Sequence, residues 1–184
     1  MTSLARRYPV ALTALLAMTL LLSACATSPT TYFYTLEPLA AAGLTTGGTP
    51  VRVGQVTVPE LVDRPQMVLR SGANQVSLAE QRRWAESLRS AIARVVAANL
   101  ATADSATSAS TVDIDVVRFD SQLGVAVDLA ANWRIRCATG IVRRGSMSTH
   151  EPAPGSDYAD LAAAHSRALA ELSRNIAAAI AAKP

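Results

Sequence analysis

The sequence predicts an α+β fold: one domain with a mainly antiparallel sheet and two long helices packed on one of its faces. Three observations carry this reading. Apolar and polar residues alternate with a period of two between Val112 and Thr149, as half-buried strands require. From Asp157 onward, Tyr158, Leu161, His165, Leu169, Leu172, Ile176 and Ala179 recur at helical spacing and form one apolar stripe. A second, shorter stripe (Trp84, Leu88, Ala91, Ile92, Val95) falls between two groups of strands. The order strands, helix, strands, helix favours helices gathered on one side of an antiparallel sheet.

The N-terminus comes first in chain order. Arg6 and Arg7 precede an apolar run from Val10 to Leu22, and Leu22-Ser23-Ala24-Cys25 closes it. Basic, apolar and small segments in that order are the layout of a secretory signal peptide. The apolar run is shorter than the roughly 20 residues needed to span a bilayer. Leu-Ser-Ala-Cys resembles the lipobox of bacterial lipoproteins, which implies cleavage before Cys25 and a covalent lipid on its sulfur. Two or three acyl chains, at about 0.8 kcal/mol per buried methylene, hold a protein firmly where one does not. Residues 1–24 are therefore read as the signal peptide. Residues 25–50 are read as the lipidated N-terminus, a tether and a short edge strand at Tyr32-Phe33-Tyr34-Thr35-Leu36, and residues 51–184 as the folded domain.

In that domain Val51 and Val53 alternate, the phase slips at Gly54-Gln55, and Val56 and Val58 resume. A one-residue slip flips the buried face unless a bulge absorbs it. Pro59-Glu60-Leu61-Val62-Asp63-Arg64-Pro65 reads as a connection, because prolines bracket its charged residues. Gln66–Arg70 and Gln75–Leu78 read as strands around a Ser71–Asn74 turn. Ser77-Leu78-Ala79-Glu80 fits a capping box, predicting a helix from there to about Leu100. Residues 101–110 are Ala-, Ser- and Thr-rich and aperiodic, hence a loop. The alternating strands that follow form a three-stranded meander, with its first turn at Ser121–Gly124 and its last strand spanning Thr139–Thr149. A Pro/Gly break at 151–156 precedes the final helix.

Composition limits what the protein does. Removing the signal peptide leaves 160 residues, enough to fold without metal or disulfide. It also removes two arginines and no acid, which takes the formal charge from +3 to +1. Lys183 is the only lysine and no basic run occurs, which argues against nucleic acid as a partner. With Cys25 lipidated, Cys137 has no intramolecular disulfide partner; its strand places it on the apolar face with Trp133 and Ile135, as a small buried hydrophobe. The two histidines, His150 and His165, have no metal-ligand spacing around them, and His165 sits on an apolar stripe. No nucleophile elbow or phosphate-binding glycine loop occurs. Asp113 and Asp115 share the wet face of a strand. The sequence supports no enzyme, no metal and no cofactor beyond the lipid.

Three further stretches stand out: Tyr32-Phe33-Tyr34-Thr35-Leu36, Val58-Pro59-Glu60-Leu61-Val62-Asp63-Arg64-Pro65-Gln66 and Trp84-Ala85-Glu86-Ser87-Leu88. With the lipobox they resemble the ABC-type transport auxiliary lipoproteins (PqiC-like), which share a Tyr-x-Tyr-x-Leu patch, Leu-Pro-Glu-Tyr-Leu-Asp-Arg-Pro-Gln and Trp-Ala-Glu-Pro-Leu. The chain departs from that pattern by Val58 for Leu, Leu61-Val62 for Tyr-Leu and Ser87 for Pro. Phe119-Asp120 and the Leu129–Trp133 strand fit as well, so the resemblance spans nearly all of residues 22–180. It implies an outer-membrane-anchored, periplasm-facing subunit of a lipid-transport system that partners an MCE-domain protein. It also implies assembly of this chain with copies of itself. Ala26, in place of Asp after the lipidated cysteine, agrees with outer-membrane sorting.

Pro59 and Pro65 pre-set the backbone of the signature loop and lower the ordering cost of binding. Pro59, Glu60, Asp63, Arg64, Pro65 and Gln66 are thus the candidate partner-binding residues, with Asp63 and Arg64 giving directed charge contacts. In the competing reading, Asp63 and Arg64 only tie the loop to its own domain. A second function class, a regulatory lipoprotein that activates a cell-wall synthase, fits the same size and fold. A mass spectrum of the mature N-terminus is expected to begin at Cys25 and carry fatty acid. An unmodified Cys25 removes the anchor.

Overall fold

The computed structural model describes residues 29–39, 51–100, 110–137, 140 and 142–182. Along them run β1 (Tyr32–Tyr34), β2 (Val51–Thr57), β3 (Gln66–Gly72), β4 (Gln75–Trp84), α1 (Leu88–Asn99), β5 (Ser110–Gln122), β6 (Ala126–Cys137), β7 (Val142–Pro152) and α2 (Tyr158–Ala181). The strands divide into two sheets, ordered β1-β4-β3 and β2-β5-β6-β7. The pairs β1–β4 and β2–β5 are parallel, and the others are antiparallel. The class is α+β, as predicted. The described residues from Thr31 onward form one compact unit.

The predicted meander is the core of the larger sheet. Val112, Ile114 and Val116 of β5 and Val127, Leu129, Ala131, Trp133 and Ile135 of β6 are buried. Leu161, His165, Leu169, Leu172 and Ile176 of α2 are all fully buried, so the stripe seen in the sequence is the face the helix presents to the sheet. Helix α2 packs on β6 and β7, and α1 packs on β2 and on α2.

The slip in β2 is a bulge: its register against β5 shifts between Val53 and Val56. The Gln55 N–H turns toward the side chain of Asp113 on β5 and donates to Oδ1 at 3.1 Å. A Cβ on Gly54 would lie 2.4 Å from that same oxygen and 2.8 Å from the Thr111 methyl, so any other residue there displaces these two side chains.

The helix predicted from Ser77 starts later. Chain extension continues through Trp84 because β4 is paired on both sides, with β3 and with β1. Ser77 faces Leu69, Leu78 faces Val68 and Ala79 faces Met67, and this ladder outcompetes the local cap. The real N-cap is Ser87, whose Oγ accepts from the Ser90 N–H at 3.3 Å. Trp84, placed on the helix stripe by its spacing, belongs to a strand. Helix α2 begins where its sequence indicated: Asp157 caps it, with Asp160 completing a capping box. At its far end Arg143 donates to the carbonyls of Ala179 and Ala182, the position where a cation suits the helix dipole.

A second bulge, at Val116/Arg118 in β5, had no expectation from sequence. Val117 is pushed out to solvent, and the buried positions change from Val112, Ile114 and Val116 to Phe119 and Ser121. Two buried serines let other elements close on α2. Ser166 Oγ donates to the Ala162 carbonyl at 2.9 Å and accepts from the Glu37 N–H at 3.0 Å. Ser173 Oγ donates to the Leu169 carbonyl at 2.8 Å and accepts from Asn99 Nδ2 at 3.3 Å.

Trp133 lies across Gly145, the residue directly opposite it on β7, and its indole N–H donates to Asn175 Oδ1 at 2.8 Å. A Cβ at position 145 would sit 2.2 Å from the ring. Gly145→Ala is expected to lower stability by about 1–3 kcal/mol, read as a lower urea midpoint, because a buried indole must shift.

Candidate functional site

The three sequence stretches that stand out converge on one corner of the domain. Tyr34 sits opposite Trp84, and its carbonyl accepts from the Ala85 N–H at 2.9 Å. The Trp84 N–H donates to the Pro65 carbonyl at 2.7 Å, so the tryptophan backbone joins the first stretch to the second. Arg94 closes the arrangement from α1. It donates to the Leu36 carbonyl at 2.8 Å and to Glu86 Oε1 at 2.7 Å. Leu36 itself is fully buried.

The signature loop is shaped by its own backbone. The N–H groups of Val62 and Asp63 both donate to the Pro59 carbonyl, at 3.0 and 3.1 Å, winding one tight turn. Val62 plugs into the core beneath it, 5% exposed. Asp63 forms an ion pair with Arg89 in the first turn of α1. Gln66 Nε2 donates to Glu80 Oε2 at 3.2 Å, within its own sheet. Glu60 and Arg64 are exposed, and neither side chain has a hydrogen-bond or ion-pair partner among the described residues. The candidate residues therefore divide. Asp63 and Gln66 hold the loop to its own domain, and Glu60 and Arg64 face outward on a fixed support.

Behind this corner lies a contact that sequence reasoning did not assemble. Trp84, Phe119 and His165 come from β4, β5 and α2. Phe119 and His165 stack with ring centroids 3.8 Å apart, and Trp84 meets each of them edge-on at 6.1 Å. Ser121 Oγ lies 2.8 Å from His165 Nε2, and His165 Nδ1 has no partner among the described residues. The break in alternation before Phe119-Asp120 is the one signal in the sequence that marks this site. Asp120, on the other side of the strand, receives a paired hydrogen bond from Arg70 at 2.9 and 3.1 Å and links the two sheets.

A serine beside a histidine suggests nucleophilic chemistry, but both are shut in. His165 is fully buried and Ser121 is 3% exposed, so a substrate has no route to them. Among the described residues no group of three or more His, Cys, Asp or Glu is placed to hold a metal. His150 pairs instead with Asp128 at 2.8 Å on an exposed strand face. Asp113 and Asp115 bond Gln55, Arg136 and Thr57 across the wet face of the larger sheet. Cys25 lies outside the described residues, as does the side chain of Cys137, whose backbone ends β6 opposite Ser110.

The family model for the ABC-type transport auxiliary lipoprotein component matches residues 34–177. The chain belongs to this family. A protein from Xanthomonas campestris assigned to DUF330 has the same fold, with a TM-score of 0.64 at 19% identity over 80% of this chain and 92% of that one. An uncharacterized protein of known structure gives 0.62 at 17% identity over 83% and 97%. No curated protein sequence matches the chain. No helix among the described residues is long and apolar enough to cross a membrane.

Burial lowers the pKa of His165 to about 3, so it is neutral in the folded protein. An unfolded histidine takes up a proton near pH 6.5. Between these values the unfolded state binds the extra proton, and stability falls as pH drops from about 6.5 toward 3 by up to about 1.4 kcal/mol per unit. His165→Leu is expected to remove that part of the slope, seen by comparing urea midpoints of both proteins across this window.

Proposed function

We propose that the protein is a non-enzymatic outer-membrane lipoprotein subunit of an MCE/ABC-type intermembrane lipid-transport system. It docks the periplasmic MCE-domain component at the outer membrane, and it needs no cofactor besides the lipid on Cys25. Membership of the transport auxiliary lipoprotein family over residues 34–177 is the observation that carries this reading. The lipobox-like Leu22-Ser23-Ala24-Cys25 supports the anchor, and Ala26 supports the outer membrane as its place.

The docking surface is the loop from Pro59 to Gln66. A loop already held by Pro59, Val62, Asp63 and Pro65 loses little freedom when a partner arrives. Arg64 presents five donors in a planar fork, and no acidic residue of the described fold engages them. Its counterpart is an acidic or carbonyl-rich patch on the MCE component. Glu60 sets a charge of the opposite sign four positions away, which fixes orientation. Assembly of this chain with copies of itself would repeat the loop around the partner and raise the effective affinity.

Co-purification of the MCE-domain protein from detergent-solubilised membranes tests the reading. Arg64→Ala is expected to reduce capture by about tenfold, the loss of one charge-assisted contact, with an unchanged urea midpoint. Asp63→Ala is expected to lower stability by no more than about 1 kcal/mol, since its pair with Arg89 is a surface one. Full capture by Arg64→Ala removes the loop from the interface. Absence of any MCE protein from the wild-type preparation overturns the function.

A further inference from the structure

We propose that the end of the domain carrying β1 rests on the bilayer that holds the anchor, with Tyr32 and Phe33 seated at headgroup level. This rests on the reading of Cys25 as lipidated. The first observation is an aromatic pair left in solvent. Tyr32 is 50% exposed and Phe33 64%, on a three-residue strand at the free edge of its sheet. Leu39 is 39% exposed nearby, and it lines with Phe33, Ala159 and Ala163 a shallow cleft of about 470 Å³ against the first turns of α2. Two successive exposed aromatics, on opposite faces of one edge strand, are unusual on a surface meant only for water.

The second observation is the charge laid beside them. In the register of β1 with β4, Tyr32 faces Arg82 and Phe33 faces Arg83. The Arg82 guanidinium carbon lies 4.0 Å over the Tyr32 ring and 5.5 Å from that of Tyr158. Arg82 has no carboxylate partner among the described residues; it donates to the Gln81 carbonyl. Amphipathic rings with guanidinium groups beside them match the layer where acyl chains meet phosphates.

The third observation is covalent. Six residues separate Cys25 from Tyr32. Even fully extended, that length reaches about 25 Å. Helix α2 alone, with 24 residues, is about 36 Å long. Its first residue, Tyr158, lies beside Arg82, and its last turn lies beside Arg143 next to Val142. An acylated Cys25 therefore keeps Tyr32 and Phe33 near the membrane surface. Val142, 48% exposed, sits at the opposite end of the domain. Anchored in this way, the aromatic pair exchanges water for headgroups without further loss of translational freedom, because the lipid has already met that cost.

The test uses the mature lipidated protein in vesicles of phosphatidylethanolamine and phosphatidylglycerol, with and without brominated acyl chains, which quench tryptophan only at short range. Two variants carry a reporter, Phe33→Trp and Val142→Trp; both sites are exposed and tolerate the change. Trp84 and Trp133 are buried and give a constant background. Bromine is expected to cut the added Phe33→Trp emission about twofold, as for other ring systems at headgroup level, and to leave Val142→Trp unchanged. Equal response of the two variants overturns the proposal. So does a Phe33→Trp signal that shifts with protein density in the absence of bromine, since a second copy then covers the patch. Mass spectrometry of the same sample separates the causes. Lipid on Cys25 without quenching sinks the membrane seat and leaves the anchored subunit intact, whereas no lipid on Cys25 sinks both.

Discussion

Two small sheets and two helices become one body where Phe119 stacks on His165. The three rings come from three layers: Trp84 from the β1-β4-β3 sheet, Phe119 from the larger sheet and His165 from α2. A neutral imidazole suits this place because it is flat enough to stack and polar enough to bond Ser121. A charged one would have to be desolvated completely, which is why burial holds the ring uncharged. The bulge at Val117 makes the contact available. Under regular alternation from Val116, Phe119 would fall on the opposite face from Val112, Ile114 and Val116, and the bulge restores it to theirs. The Arg70–Asp120 pair then fixes the angle between the sheets from the other side of the same strand.

The three stretches that stand out in the sequence are mostly partners of one another in the fold. Glu86 steadies Arg94, Arg94 holds the Leu36 carbonyl, and the Trp84 backbone spans Tyr34 and Pro65. These residues are separated widely in the chain and meet at one corner. Their job is to hold that corner rigid. In the signature loop the charged side chains left over are Glu60 and Arg64, and in the first stretch Tyr32 and Phe33 stay exposed.

Periodicity made much of this legible in advance. The meander and α2 could be read because each buries one face only, and the resulting alternation or stripe survives in the residues themselves. The β2 bulge was legible because glycine marks it. The false helix start at Ser77-Leu78-Ala79-Glu80 shows the limit: a local capping pattern lost to pairing with β3 at Met67–Leu69, and β1, fifty residues upstream, extends the strand through Arg82–Trp84. The bulge at Val117 carries no glycine or proline and left only a broken alternation. In the signature loop the prolines announced a fixed turn. Which of Asp63 and Arg64 pairs with its own domain was decided by Arg89, 26 residues beyond Asp63, and nothing in the loop itself encodes that.

The outer margin of the larger sheet has one more consequence. Strand β7 ends the order β2-β5-β6-β7, so one side of its eleven-residue backbone is left without a neighbouring strand among the described residues. A flat, oily margin of that length invites another chain to zip onto it. Here Arg143, Arg144, His150 and Glu151 are set along it, and few large apolar side chains interrupt them. Under the proposed lipidation of Cys25, a polypeptide carried through water would already have one sticky part. By keeping its longest open border charged, the fold avoids a second and guards against fibrillar aggregation on the way.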